Sequence, residues 1–193
     1  MIFLKESEQH QHSNGGGWVA NTAFVEATAY VGPNAQVYDR AQVYGSAQVN
    51  DFAQVSGDAR VYDFAQIHDY AQVHGDAQVH GYAHVHDYAL ISGEAQVYGS
   101  ARIYGYAQVR GYAQVHGDAQ VLGDIWETSP LFVQGTKGSV TNCAYGKLAV
   151  GCDSNTFAEW KRNYKAFGKD AGYTAEQIKE YGEIIALAAK IGK

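Results

Sequence analysis

The chain has 193 residues with 14 Lys and Arg against 20 Asp and Glu, a formal charge of −6; only 18% of residues are charged, while 13% are aromatic. That length holds one good-sized domain, or a domain with a small appendage. The shortage of charge excludes an acidic disordered chain, and the negative sign argues against a protein that grips a nucleic-acid backbone.

The N-terminus, MIFLKESEQHQHSNGGG, turns polar after four residues and makes a poor signal peptide. The longest apolar run, Ile184 to Ala189, is far too short to span a bilayer. Residues 1–18 read as a flexible leader carrying His10 and His12, and the whole as a soluble cytoplasmic protein without a membrane segment.

From residue 19 to 124 the sequence is periodic. Alanine recurs every sixth residue from Ala23 to Ala119, seventeen times without an insertion, and each is followed two places later by Val or Ile. A period of six fits neither a helix nor a heptad, while positions i and i+2 share one face of a strand. Each hexad therefore reads as a short strand with Ala and Val inward and Gln and Tyr outward, then a two-residue corner. Three sides make an eighteen-residue coil, and stacked coils bury a narrow core that no single hexad can bury. Asp and Gly at the corners read as turn residues, with the acids capping backbone N–H groups.

The pattern, in the phase Val43-Tyr44-Gly45-Ser46-Ala47-Gln48, resembles the hexapeptide repeat of left-handed parallel β-helices. The left hand is implied by that resemblance alone, since the ordinary crossover rule points the other way. The superfamily includes trimeric acyltransferases, and the resemblance implies an alternative function as an acyltransferase with an acyl-donor cofactor. That chemistry requires a general-base histidine and oxyanion donors. The candidates for the base are His68, His84 and His86. Such enzymes commonly interrupt a coil with an active-site loop, and they vary the residues around the catalytic centre; this register runs unbroken from 23 to 121 with monotonous outward residues. A non-catalytic binding or scaffold protein is therefore the leading reading, with no cofactor expected.

The eighteen-residue period sorts the outward residues into columns with a vertical spacing of about 4.8 Å. One side carries Tyr44, Tyr62, His80, Tyr98 and His116; the next carries His68, His86 and Tyr104. Phe52, Tyr70, Tyr88 and Tyr106 form an aromatic corner on four successive coils. This corner either stiffens the prism or serves as a contact strip for a protein, a glycan or a planar ligand, and the candidate strip takes in His68, His86 and Tyr104 as well. The residue before the aliphatic one is Gln in eleven of the seventeen hexads, consistent with stacked amide ladders. His84 and His86, at i and i+2, with His68 one coil below, form a set that zinc or nickel would accept with water as a fourth ligand. The alternative is that all three are solvated members of a His/Tyr column. Between residues 21 and 124, four Arg oppose eleven acids, a balance of 4 − 11 = −7, so no nucleic acid is expected on the prism.

Residues 125–193 change character and read as a small C-terminal α+β module that caps the prism. Apolar segments with Gly-containing turns at 135–138 and 146 predict an antiparallel meander. Thr156-Phe157-Ala158-Glu159 opens a helix through about Phe167, and Thr174-Ala175-Glu176-Gln177 opens another to about Ile191. Ile178, Tyr181, Ile184, Ile185, Ala188 and Ile191 give the second helix its apolar stripe. Cys143 and Cys152 read as buried thiols. Gly151-Cys152 followed by Thr156-Phe157 and Trp160, together with HSNGGGWVANTAFV at 12–25, looks like the architecture of uncharacterised bacterial and phage proteins with hexapeptide repeats. That setting is compatible with a phage-type protein that sequesters a partner. Prisms of this class often trimerise, so the resemblance also implies a homo-oligomer, trimer before dimer.

Overall fold

A computed structural model describes residues 5–191. It is a parallel β-solenoid of about six turns followed by a four-stranded antiparallel sheet and two helices. Every hexad contributes a two-residue strand, and each strand pairs with the one eighteen residues away: Gln66 lies between Gln48 and His84, and Gln78 between Arg60 and Gln96. The Ala and Val or Ile of each hexad from Ala29 to Val121 are buried, essentially without exposure. Valine suits the strand and fills the core; alanine keeps the three-sided cross-section small.

The corners explain the Asp/Gly alternation. From Asp39 to Gly117, all fourteen first corner residues have positive φ, nine of them Gly and five Asp. Nine of these corners close with a hydrogen bond such as Ala53 N–H to the Asn50 carbonyl, 3.0 Å. Gly57 is required on a second count, since a Cβ there would stand 2.8 Å from the Gly75 nitrogen. Where Asp takes the position, its carboxylate reaches along the axis to the N–H of the next coil: Asp39 to Gly57, Asp51 to Asp69, Asp63 to Gly81, Asp69 to Asp87 and Asp87 to Gly105, at 2.9–3.2 Å. The expected capping thus runs between coils, not within a turn.

Both ends of the solenoid are covered. The segment expected to be a flexible leader differs over residues 5–18. Gln9–Gln11 pairs antiparallel with Trp18–Ala20, and His12 is buried with Nε2 3.1 Å from the Ala29 carbonyl oxygen. The Gly17 N–H donates to Val31 and the Val31 N–H to Asn14, so the hairpin satisfies an edge that would otherwise recruit another chain. A Cβ on Gly17 would sit 2.3 Å from the Gly32 carbonyl oxygen; the glycine run allows this approach.

At the other end the parallel stack takes one more strand, Ile125–Trp126, after the spacing slips from eighteen to seventeen: Gln108 pairs with Ile125 and Val109 with Trp126. Trp126 closes the core, and its indole N–H donates to the Gly123 carbonyl, 2.7 Å. The antiparallel sheet runs Phe132–Gln134, Ser139–Ala144, Lys147–Val150 and Asp153–Thr156. It docks on the last coil through Leu122 N–H to Cys143 carbonyl, 2.8 Å, and the Gln120 amide to Gly151 carbonyl, 3.0 Å.

Helices α1 (Phe157–Asp170) and α2 (Ala175–Ile191) pack on that sheet around Val140, Leu148, Trp160, Tyr181, Ile185 and Ala188. Both expected capping boxes form. Thr156 accepts from the Glu159 N–H while Glu159 accepts from the Thr156 N–H, and Thr174 and Gln177 make the same reciprocal pair. The apolar stripe of α2 ends at Ala188, because Ile191 is exposed. Cys143 is buried; Cys152 is not, since it sits in the turn between two strands.

Val79 and Val85 lie on adjacent inward sides with no exposure. Replacing either by Asp puts an unpaired carboxylate in the core and should cost about 3 kcal/mol or more, read as a lowered urea midpoint.

Candidate functional site

Because no residue is inserted over seventeen hexads, equivalent side chains lie one above another. Aromatic rings at such positions stack. In the corner column the Phe52–Tyr70, Tyr70–Tyr88 and Tyr88–Tyr106 centroids are 5.2, 5.2 and 5.1 Å apart, with planes within 7° of parallel. Their exposures rise from 43% at Phe52 through 49% and 53% to 73% at Tyr106. Beside them His68, His86 and Tyr104 stack at 4.9 and 5.3 Å. All seven residues singled out in the sequence therefore form two adjoining ladders along one edge.

A third ladder runs Tyr44–Tyr62–His80–Tyr98–His116 and ends against Phe132 of the C-terminal sheet, whose ring tilts over His116. A fourth, Phe64–Tyr82, stands on the opposite edge of the side that carries His68 and His86, at 5.0 Å, with both rings exposed. Sequence reasoning missed it, although the signal was present: both residues directly precede the hexad alanine, eighteen apart.

Three of the outward glutamines accept a hydrogen bond from a tyrosine on the preceding coil. Tyr38 donates to the Gln54 side-chain oxygen at 3.3 Å and Tyr104 to that of Gln120 at 3.4 Å. These diagonal bonds tie a hydroxyl on one coil to an amide on the next, where stacked amides alone were expected. Burial raises the Tyr104 phenol pKa above its ordinary value.

The histidines divide in a way the sequence did not show. His68 Nδ1 lies 3.0 Å from Asp69 Oδ2, and His86 Nδ1 lies 3.4 Å from Asp87 Oδ2. The ligand-capable atoms of His68, Asp69 and His86 fall within 4.8 Å of one another. His84 stays outside that group. It belongs to the strand column between Gln66 and Arg102 rather than to the ladder. Partial burial, then the charges of Arg102, His68 and His86, lower its pKa from 6.5.

The eighteen-residue stack places the chain by class. It is a β-solenoid repeat protein: the family model described as the YdcK beta solenoid repeat matches residues 35–51 and 53–69, two successive coils. Comparison with curated proteins and with solved structures gave no match.

The lowered pKa of His84 fixes the direction of a pH effect. The folded chain resists protonation there while the unfolded chain takes up the proton from about pH 6.5 downward, so stability falls as pH drops through 6.5 toward the folded-state pKa. His84→Gln should flatten that part of the curve, as checked by melting temperatures taken at steps between pH 7.5 and about 5.

Proposed function

We propose that this protein is a non-catalytic binding or scaffold module whose recognition strip is the double ladder of Phe52, Tyr70, Tyr88 and Tyr106 with His68, His86 and Tyr104. One observation carries the reading: four aromatic rings stand exposed in a row on coils whose backbone is fixed by the ladders beneath. Side chains held in this way lose little entropy on binding, and several weak contacts become available together. Stacked rings turn their edges and hydroxyls outward and hide their faces. A protein surface or a glycan that meets phenolic edges suits this strip better than a planar ligand that must stack.

The resemblance supports the finer points of the proposal. The coil is left-handed, and the chain acts in the bacterial or phage-infected cytoplasm as a homo-oligomer, trimer before dimer, sequestering a partner. Light scattering should return a mass three times the 21.0 kDa of the chain.

An unbiased pull-down read by native mass spectrometry identifies the partner. The double variant Tyr88→Ser and Tyr106→Ser, with circular dichroism and assembly mass unchanged, should lose it; unchanged affinity rejects the strip. Turnover of an acyl donor that disappears in His86→Ala would replace this reading with acyl transfer.

A further inference from the structure

The two histidine–carboxylate pairs are copies of one another, one coil apart: Ile67-His68-Asp69-Tyr70 and Val85-His86-Asp87-Tyr88. His68 Nδ1 is hydrogen-bonded to the Asp69 carboxylate at 3.0 Å, and His86 Nδ1 stands 3.4 Å from that of Asp87, a looser contact. A neutral imidazole that donates from Nδ1 has its lone pair on Nε2. This is how metal-binding histidines are usually held, with the carboxylate fixing tautomer and ring orientation and raising ligand basicity.

The carboxylates are themselves fixed, because Asp69 accepts from the Asp87 N–H and Asp87 from the Gly105 N–H. Asp69 and Asp87 are therefore better placed behind the imidazoles than as direct ligands. The two rings are parallel, 4.9 Å apart, with side chains 31% and 27% exposed. The ring separation exceeds twice a metal–nitrogen distance of about 2.1 Å, so both rings turn toward each other to share one ion.

We propose that His68 and His86 bind one divalent transition-metal ion through Nε2, with Asp69 and Asp87 as positioning residues and water at the remaining sites. Imidazole nitrogen favours copper, nickel or zinc over calcium or magnesium. Two of the residues also belong to the proposed recognition strip. The inference nevertheless stands without any partner, because the metal alone tests it.

The test is titration of the full chain with copper(II) at neutral pH, followed by calorimetry and electron paramagnetic resonance. The expected result is one equivalent bound, with nitrogen couplings from two imidazoles. His68→Tyr and His86→Tyr keep a ring in the stack, as Tyr104 does naturally, and each should weaken binding more than about tenfold. Asp87→Asn, whose amide oxygen can still accept the Gly105 N–H, should weaken it about tenfold in a variant that circular dichroism shows to be folded. His10→Gln and His84→Gln should bind as the parent does. Failure to bind one equivalent overturns the proposal, as does binding that survives the two tyrosine substitutions together or is lost in His10→Gln or His84→Gln. Unchanged affinity in Asp87→Asn removes the carboxylate from the site. Copper binding without partner binding, or the reverse, separates this proposal from the recognition reading.

Discussion

Everything outside the core depends on register between coils. A parallel pair fixes its neighbour only to within a residue, and a slip of one would turn every inward Val outward. Here the corners fix the register. A residue in the left-handed conformation at each of fourteen successive corners makes all coils turn at the same point, and five of those residues send a carboxylate to the next coil's N–H. Glycine serves where a Cβ would meet the neighbouring backbone, as at Gly57. Aspartate serves where a hydrogen bond can replace that close approach. The alternation between them is a choice between two ways of holding the same distance.

The same device makes a column of like charges tolerable. Asp51, Asp69 and Asp87 stand above one another on three coils, an arrangement that would repel if the carboxylates faced water alone. Each accepts a backbone N–H, and His68 and His86 stand beside two of them, so the negative charge is spread over donors of fixed position. An isolated exposed pair such as Arg40–Asp58, at 2.6 Å, adds little by comparison.

The architecture was legible because its signal repeats. Seventeen hexads identify inward and outward positions without ambiguity, and the columns follow by counting in eighteens. Both capping boxes were equally legible, being local. Three features were not. The leader's hairpin depends on what the first coil needs covered, so SEQHQHSNGGG reads as disorder until Val31 and Ala29 are seen as its partners. The slip to seventeen residues before Ile125 comes from closing the prism with Trp126, a tertiary demand with no periodic trace. The separation of His84 from His68 and His86 follows from its place in the strand column, which moves it off the edge where the carboxylates are.

Stacking sets what the surface can recognise. A ring in a column shares both faces with its neighbours, so the ladder's usable chemistry is a row of C–H edges and hydroxyls repeating at about the strand spacing. If the corner is the recognition strip proposed above, such a row would discriminate by periodicity rather than by any single pocket. A partner whose own groups repeat at a similar interval would engage every rung, while one with a different repeat would engage one or two. Only the terminal rings of a column keep a free face. In the column that ends at His116 that face is covered by Phe132 of the C-terminal module, whereas Tyr106, the most exposed member of its corner, heads its own stack. The module thus covers the end of one ladder, while the corner strip, with four rings exposed in a row, carries the recognition proposal.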